Sequence, residues 1–203
     1  MFSTSTPVNS GSGGDSDPMR RINAPADIVH FYELDEVAAD VEREGFQRVA
    51  LQFPDHLLPD AGAVAEWLQR RVPDRKFFVV GDTSYGSCCV DVVAAAHYSA
   101  DFLVHFGPAC LAPVDGLPVR YVFGKMPLDV QLFRNAFAHS FAKSDTVTVV
   151  CEQPYCHRIE EMRRLWADEF PHVQFAEART PGLVFPSATR SAFREVDSFP
   201  ARS

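Results

Sequence analysis

The 203-residue chain has no apolar run approaching the roughly 18 residues that a membrane-spanning helix needs. It also lacks a basic excess. Nineteen Lys and Arg stand against 27 Asp and Glu, for a formal net charge of −8. A net acidic surface is repelled by phosphate, so neither nucleic acid nor an anionic membrane is an expected partner. Small polar residues fill positions 1–26, with no apolar segment of signal-peptide type, so a reducing, cytoplasmic setting is the expectation. Familiar catalytic strings are missing as well. Gly81-Asp-Thr-Ser-Tyr-Gly86 lacks the Gly-Lys-Ser/Thr ending of a P-loop, and no G-x-S-x-G elbow occurs. What remains is a chain with 46% hydrophobic and 23% charged residues, enough apolar material for a core and too much for wholesale disorder.

The middle of the chain alternates two periodicities. Phe31, Leu34, Val37, Ala38 and Val41 recur at helical spacing, with Gly45 placed to end the helix. Val64, Trp67 and Leu68 predict a helix that Pro73 stops, and Val90–His97 is short and Ala-rich. Val130, Phe133, Phe137 and Phe141 form an amphipathic stripe, and Ile159–Trp166 completes the helical set. Between these lie short apolar runs at Arg48–Phe53, Lys76–Val80, Asp101–Gly107, Val119–Phe123, Thr146–Val150 and Val173–Ala176. Buried strands alternating with helices predict an α/β fold, with a mostly parallel sheet of about five strands and helices on both faces. The expected organisation is a disordered tail over 1–26, one α/β domain over 27–178 and an irregular C-terminal tail over 179–203.

In open α/β sheets, ligands bind at the loops that follow the carboxyl ends of strands. Those loops hold the unusual residues here: Gln52-Phe-Pro-Asp55, Gly81–Cys89, His105–Cys110 and Cys151–His157. All five cysteines are expected near one edge of the sheet. Thiolates are soft ligands suited to iron–sulfur clusters and zinc, although a lone free cysteine is equally a small buried hydrophobe. The pair Cys88 and Cys89, with Cys110 following 21 residues after Cys89, is not spaced as the knuckles of structural zinc, and fits ligands gathered from separate loops. Cys151 and Cys156 lie near a helix start, where the dipole alone favours a thiolate. His105 either faces this site or is a hydrogen-bonded structural histidine. Asp82 and Asp91 suit turn or cap positions.

The strings Gly81-Asp-Thr-Ser-Tyr-Gly-Ser-Cys-Cys-Val-Asp91, Val104-His-Phe-Gly-Pro-Ala-Cys-Leu111 and Val49-Ala-Leu-Gln-Phe-Pro-Asp55 resemble the diphthamide biosynthesis family. The Ser-Cys-Cys-Val-Asp form and Leu117-Pro-Val119 resemble its eukaryotic subunit 2 branch. The resemblance implies transfer of a 3-amino-3-carboxypropyl group from S-adenosylmethionine to a histidine of elongation factor 2. It implies a [4Fe–4S] cluster, with Cys89 and Cys110 as ligands in this chain and Cys88 as the alternate to Cys89. It also implies three similar α/β domains in the full-length family, with one further cysteine from the last. The expected partners are the catalytic subunit 1 in a heterodimer, elongation factor 2 as substrate protein and an electron-donor protein. S-adenosylmethionine is expected on subunit 1, and no catalytic residue is assigned to this chain. The isolated chain is expected to be an inactive accessory that assists reduction of the subunit 1 cluster. The alternatives are a cluster-free module that docks on subunit 1, and a small zinc-binding α/β protein.

Overall fold

The computed structural model describes residues 25–81, 87–176 and 182–186. The tail expected over 1–26 therefore lies almost wholly outside the described residues, as do Asp82 and most of the expected C-terminal tail. Helix α1 spans Pro25–Phe31 and α2 spans Leu34–Glu44. Gly45 ends α2 at φ 76°, its N–H bonded to the Val41 carbonyl, as the spacing predicts. Strand β1 (Arg48–Gln52), α3 (Ala61–Arg71), β2 (Lys76–Val80), α4 (Val92–His97), β3 (Phe102–Phe106) and β4 (Val119–Val122) follow. Then come α5 (Val130–Ser140), β5 (Val147–Val150), α6 (Ile159–Trp166), β6 (Val173–Ala176) and β7 (Leu183–Val184).

The main sheet has five strands in the order β2-β1-β3-β4-β7, parallel except for β7, which pairs antiparallel with β4. The α/β class and the mostly parallel five-stranded sheet are as expected, but the fifth strand is not the expected one. Among the described residues, Val147–Val150 pairs only with Val173–Ala176, in a separate two-stranded parallel sheet. The place beside β4 goes instead to Leu183–Val184, within the segment expected to be irregular. Strand-like runs specify that a strand forms, not which sheet it joins.

Alternating side chains on β1, β3 and β4 divide between two cores. One face carries Val49, Leu51, Val104 and Phe106 against Val37 and Val41 of α2 and Val64 and Leu68 of α3. The other carries Ala50, Leu103, Val119 and Tyr121 against Ala95 of α4. The small second sheet has its own cluster around Phe137, Val149, Trp166 and Phe170. Arg120 of β4 crosses to α2, where its guanidinium pairs with the buried carboxylate of Asp40 and with Glu33. A buried charge of this kind needs its partner, so the pair fixes where α2 lies on the sheet.

Candidate metal centre

Strand order reverses at β1, which has β2 on one side and β3 on the other. In doubly wound sheets this switch point opens a crevice at the carboxyl ends, and here two loops fill it. The loop after β2 brings Cys88 and Cys89, and the loop after β3 brings Cys110. The two meet over the end of β1, where the Cys110 N–H donates to the Cys88 carbonyl at 3.0 Å. The Sγ atoms of Cys88, Cys89 and Cys110 all lie within 4.8 Å of one another. Cys88 to Cys89 is 4.0 Å and Cys89 to Cys110 is 3.7 Å, well beyond the roughly 2.05 Å of a disulfide.

Each loop is held by side chains beneath it. Gln52, at the end of β1, is 1% exposed; its Nε2 donates to the Cys89 carbonyl at 2.7 Å, and its Oε1 accepts from the Asp91 N–H at 3.0 Å. Asp91 in turn caps α4 by accepting from the Ala94 N–H, the role expected of it. Under the second loop, His105 is wholly buried and pairs through Nε2 with the Pro108 carbonyl at 3.1 Å. It is thus a hydrogen-bonded structural histidine placed directly below the site. Gln153 also reaches the second loop, bonding both the N–H and the carbonyl of Ala109 at 3.4 Å.

Backbone geometry is unusual at two positions of the second loop. Gly107 turns the chain at φ 89°, and a Cβ there would meet Pro54 at 2.9 Å. Leu111, directly after Cys110, also holds a left-handed φ of 56°, which is uncommon for a residue of its size. Such a conformation persists only where the surroundings over-determine it.

Cys110 and Cys89 differ in how readily they ionise. A hydrogen bond from the Ala112 backbone favours the Cys110 thiolate, helped by the thiols of Cys89 and Cys88, and holds Cys110 below the ordinary thiol range. Cys89, hydrogen-bonded to Cys110 and then to Cys88, is pushed up to about 11. Charge therefore settles on Cys110 before Cys89. The nearby Tyr121 hydroxyl is pushed up to about 12, by burial and then by the Cys110 charge. Three soft donors converging at an open sheet edge can hold a thiophilic metal centre.

The other two cysteines follow a strand of the second sheet rather than the main one. Cys151 follows β5 of the second sheet, and Cys156 packs with it near Ile159 and Met162. Burial, and then Cys156, raise the Cys151 thiol. Among the described residues, the only group of three or more potential metal ligands is Cys88, Cys89 and Cys110. Sequence reasoning also missed Gln52 and Gln153 as supports of the site. A polar residue inside the apolar run Val49-Ala-Leu-Gln-Phe53 was the available signal for the first. Local sequence carries no signal for the second.

A family model for diphthamide synthesis proteins matches residues 53–198. The chain belongs to that family. Among its diphthamide synthesis relatives, the 2-(3-amino-3-carboxypropyl)histidine synthase subunit 2 of Gallus gallus is 47% identical over 74% of this chain and 32% of its own length. The subunit 2 protein of Danio rerio is 40% identical over 76% of this chain and 31% of its own. The chain thus spans about a third of the length of the curated relatives it matches. A crystal structure of Dph2 from Pyrococcus horikoshii superposes with a TM-score of 0.58 at 22% identity, over 71% of this chain and 42% of that one. Another, of the same protein with a 4Fe-4S cluster, superposes at 0.59 with 20% identity, over 76% of this chain and 46% of that one. These likenesses show a shared fold. No helix among the described residues is long and apolar enough to cross a membrane.

Proposed function

We propose that this chain is the iron–sulfur part of a transferase complex that carries out the first step of diphthamide biosynthesis. The complex moves a 3-amino-3-carboxypropyl group from S-adenosylmethionine to a histidine of elongation factor 2. The observation that carries this reading is the convergence of Cys88, Cys89 and Cys110 within 4.8 Å in a chain of this family. Cys89 and Cys110 are the cluster ligands, with Cys88 the alternate to Cys89. The donor set fits the group, since thiolates hold iron–sulfur clusters and Cys110 is already biased toward its thiolate. When bound, a [4Fe–4S] cluster supplies one-electron chemistry. The protein's own part is to present the thiols at an exposed edge on loops fixed by Gln52, Gln153 and Gly107. A further cysteine comes from the length of the relatives that this chain does not span.

In this reading the chain is an accessory. Catalysis and S-adenosylmethionine belong to a subunit 1 partner in a heterodimer, and electrons from a donor protein reach the catalytic cluster with this subunit's help. The setting is the cytoplasm. The assay follows labelled aminocarboxypropyl transfer to unmodified elongation factor 2 under anaerobic conditions. Its arms are this chain alone, subunit 1 alone, and subunit 1 with full-length subunit 2. Transfer only in the last arm supports the accessory role, and turnover by this chain alone overturns it.

One observation favours a second reading. At a metal–sulfur bond of about 2.3 Å, a tetrahedral thiolate site sets its sulfurs about 3.8 Å apart. Two of the three spacings, 4.0 and 3.7 Å, match that single-ion geometry and the third lies within 4.8 Å, whereas a cluster with one thiolate per iron spreads them wider. Zinc on the three thiols is the alternative, and metal and sulfide analysis separates the two.

A further inference from the structure

Three polar side chains stand at one level of the main sheet, directly below the thiols. Gln52 of β1 is the register partner of His105 of β3, and His105 is the register partner of Tyr121 of β4. The apolar residues two positions before Gln52, His105 and Tyr121, namely Ala50, Leu103 and Val119, share one core, so the three polar residues face the same side of the sheet. All three are buried, at 1%, 0% and 4% exposure. A polar row inside an otherwise apolar α/β sheet is costly unless its groups are paired, so what each group pairs with is informative.

Each pairing serves a thiol-bearing loop. The Gln52 amide grips the first loop at two points that bracket Val90, the Cys89 carbonyl and the Asp91 N–H. His105 holds the second loop at Pro108, two residues before Cys110. With Nε2–H donating to that carbonyl, Nδ1 is the bare acceptor of the neutral ring, and it is buried without a hydrogen-bond partner among the described residues. The His105 and Tyr121 rings meet edge-on at 5.9 Å. Tyr121 lies near enough to Cys110 for the thiolate's charge to raise its hydroxyl.

We propose that Gln52 and His105 are positioning residues for the thiol centre, one for each loop. They set the Cys89–Cys110 separation by anchoring the two loop backbones to neighbouring strands. The spacing of the thiols is then inherited from the sheet, whose strands lie about 4.8 Å apart, rather than from the loops themselves. Gln52 is the more exacting of the two. One planar amide must donate and accept at once, and no other uncharged side chain of its length does both. This rests on the reading that the trio holds a metal. It does not depend on whether that metal is a cluster or a single ion.

The test uses the full 203-residue chain, reduced and metal-free, titrated with Co²⁺ alone. Cobalt–thiolate charge-transfer absorption reports how many thiols bind and in what geometry. Gln52→Met keeps the volume and removes both hydrogen bonds; Gln52→Glu keeps the acceptor for Asp91 and loses the donor to Cys89. The expected result is a cobalt affinity about 10–100-fold lower for Gln52→Met, as for other residues that orient metal ligands, with an altered thiolate spectrum and a cooperative unfolding transition retained. Gln52→Glu falls between it and the wild type, and His105→Gln weakens binding without loss of fold. If Gln52→Met does not fold, Gln52→Glu and His105→Gln carry the measurement. Wild-type affinity and spectrum in the folded variants would overturn the assignment, as would failure of the wild-type chain to give a cobalt–thiolate band. Reconstitution of the wild type with iron and sulfide is run beside it. A cobalt result as expected with no cluster formed would defeat the cluster reading and leave the positioning role standing.

Discussion

The Cys110 N–H bonds to the Cys88 carbonyl at 3.0 Å, joining loops that leave two strands not adjacent in the sheet. β1 lies between those strands, so both loops must lean over its end to meet. The contact explains how cysteines distant in sequence form one group. It also gives the site a built geometry before any metal arrives, which lowers the ordering cost of binding.

The turn at Gly107 gives the first prediction. A Cβ there would sit 2.9 Å from Pro54 at a φ of 89°, so Gly107→Ala meets both strain and collision. Backbone strain of this kind costs about 1–3 kcal/mol, and the collision adds to it. Denaturant midpoints measure the loss. Gly62→Ala is the control. It lies in α3 with nothing within 4 Å of the added atom, and it should be neutral or stabilising by about 0.4–1 kcal/mol.

Alkylation should follow the order of ionisation. Cys110 is held below the ordinary thiol range and Cys89 is pushed up to about 11, so iodoacetamide modifies Cys110 first in the metal-free protein. Peptide mass mapping over a pH series measures this. The Cys110 rate rises at lower pH than the Cys89 rate, and Cys110→Ser removes the main partner that raises Cys89 and moves the Cys89 profile toward ordinary values.

Burial lowers His105 below the ordinary histidine value, so the folded state keeps it neutral where the unfolded chain would protonate it. Its contribution is intact above the unfolded value of about 6.5 and is lost as pH falls below that point. The slope in that acid limb approaches about 1.4 kcal/mol per pH unit for one proton. Urea unfolding at pH 7.5 and 5.5 should show the drop. His105→Gln, which cannot take up the proton, should flatten it.

The elements themselves were legible because their signals are local. Gly45 ends α2, Asp91 caps α4, and Ile159–Trp166 is helical as its spacing dictates. The convergence of Cys88, Cys89 and Cys110 was also legible, since parallel strands put their following loops on one edge. Pairing was not. Val147–Val150 reads as a strand whether it joins the main sheet or pairs with Val173–Ala176 alone, and Cys151 follows it outside the main sheet. Leu183–Val184 is two residues long, too short for any period to show. Gln52, His105 and Tyr121 looked unrelated in sequence, because register, which no local pattern specifies here, is what aligns them.

The central claim is that Cys89 and Cys110, with Cys88 the alternate to Cys89, hold an iron–sulfur cluster, and its most direct measurement is iron, zinc and acid-labile sulfide in anaerobically prepared protein. The account predicts iron and sulfide in about equal amounts with the broad brown absorbance of a cluster. Both should be strongly reduced in Cys89→Ser and Cys110→Ser, which keep side-chain size but remove a soft ligand, and little changed in Cys151→Ser. If Cys88→Ser loses iron and Cys89→Ser does not, the ligand is Cys88. Zinc without sulfide, or iron unchanged in the Cys88, Cys89 and Cys110 variants alike, would contradict it.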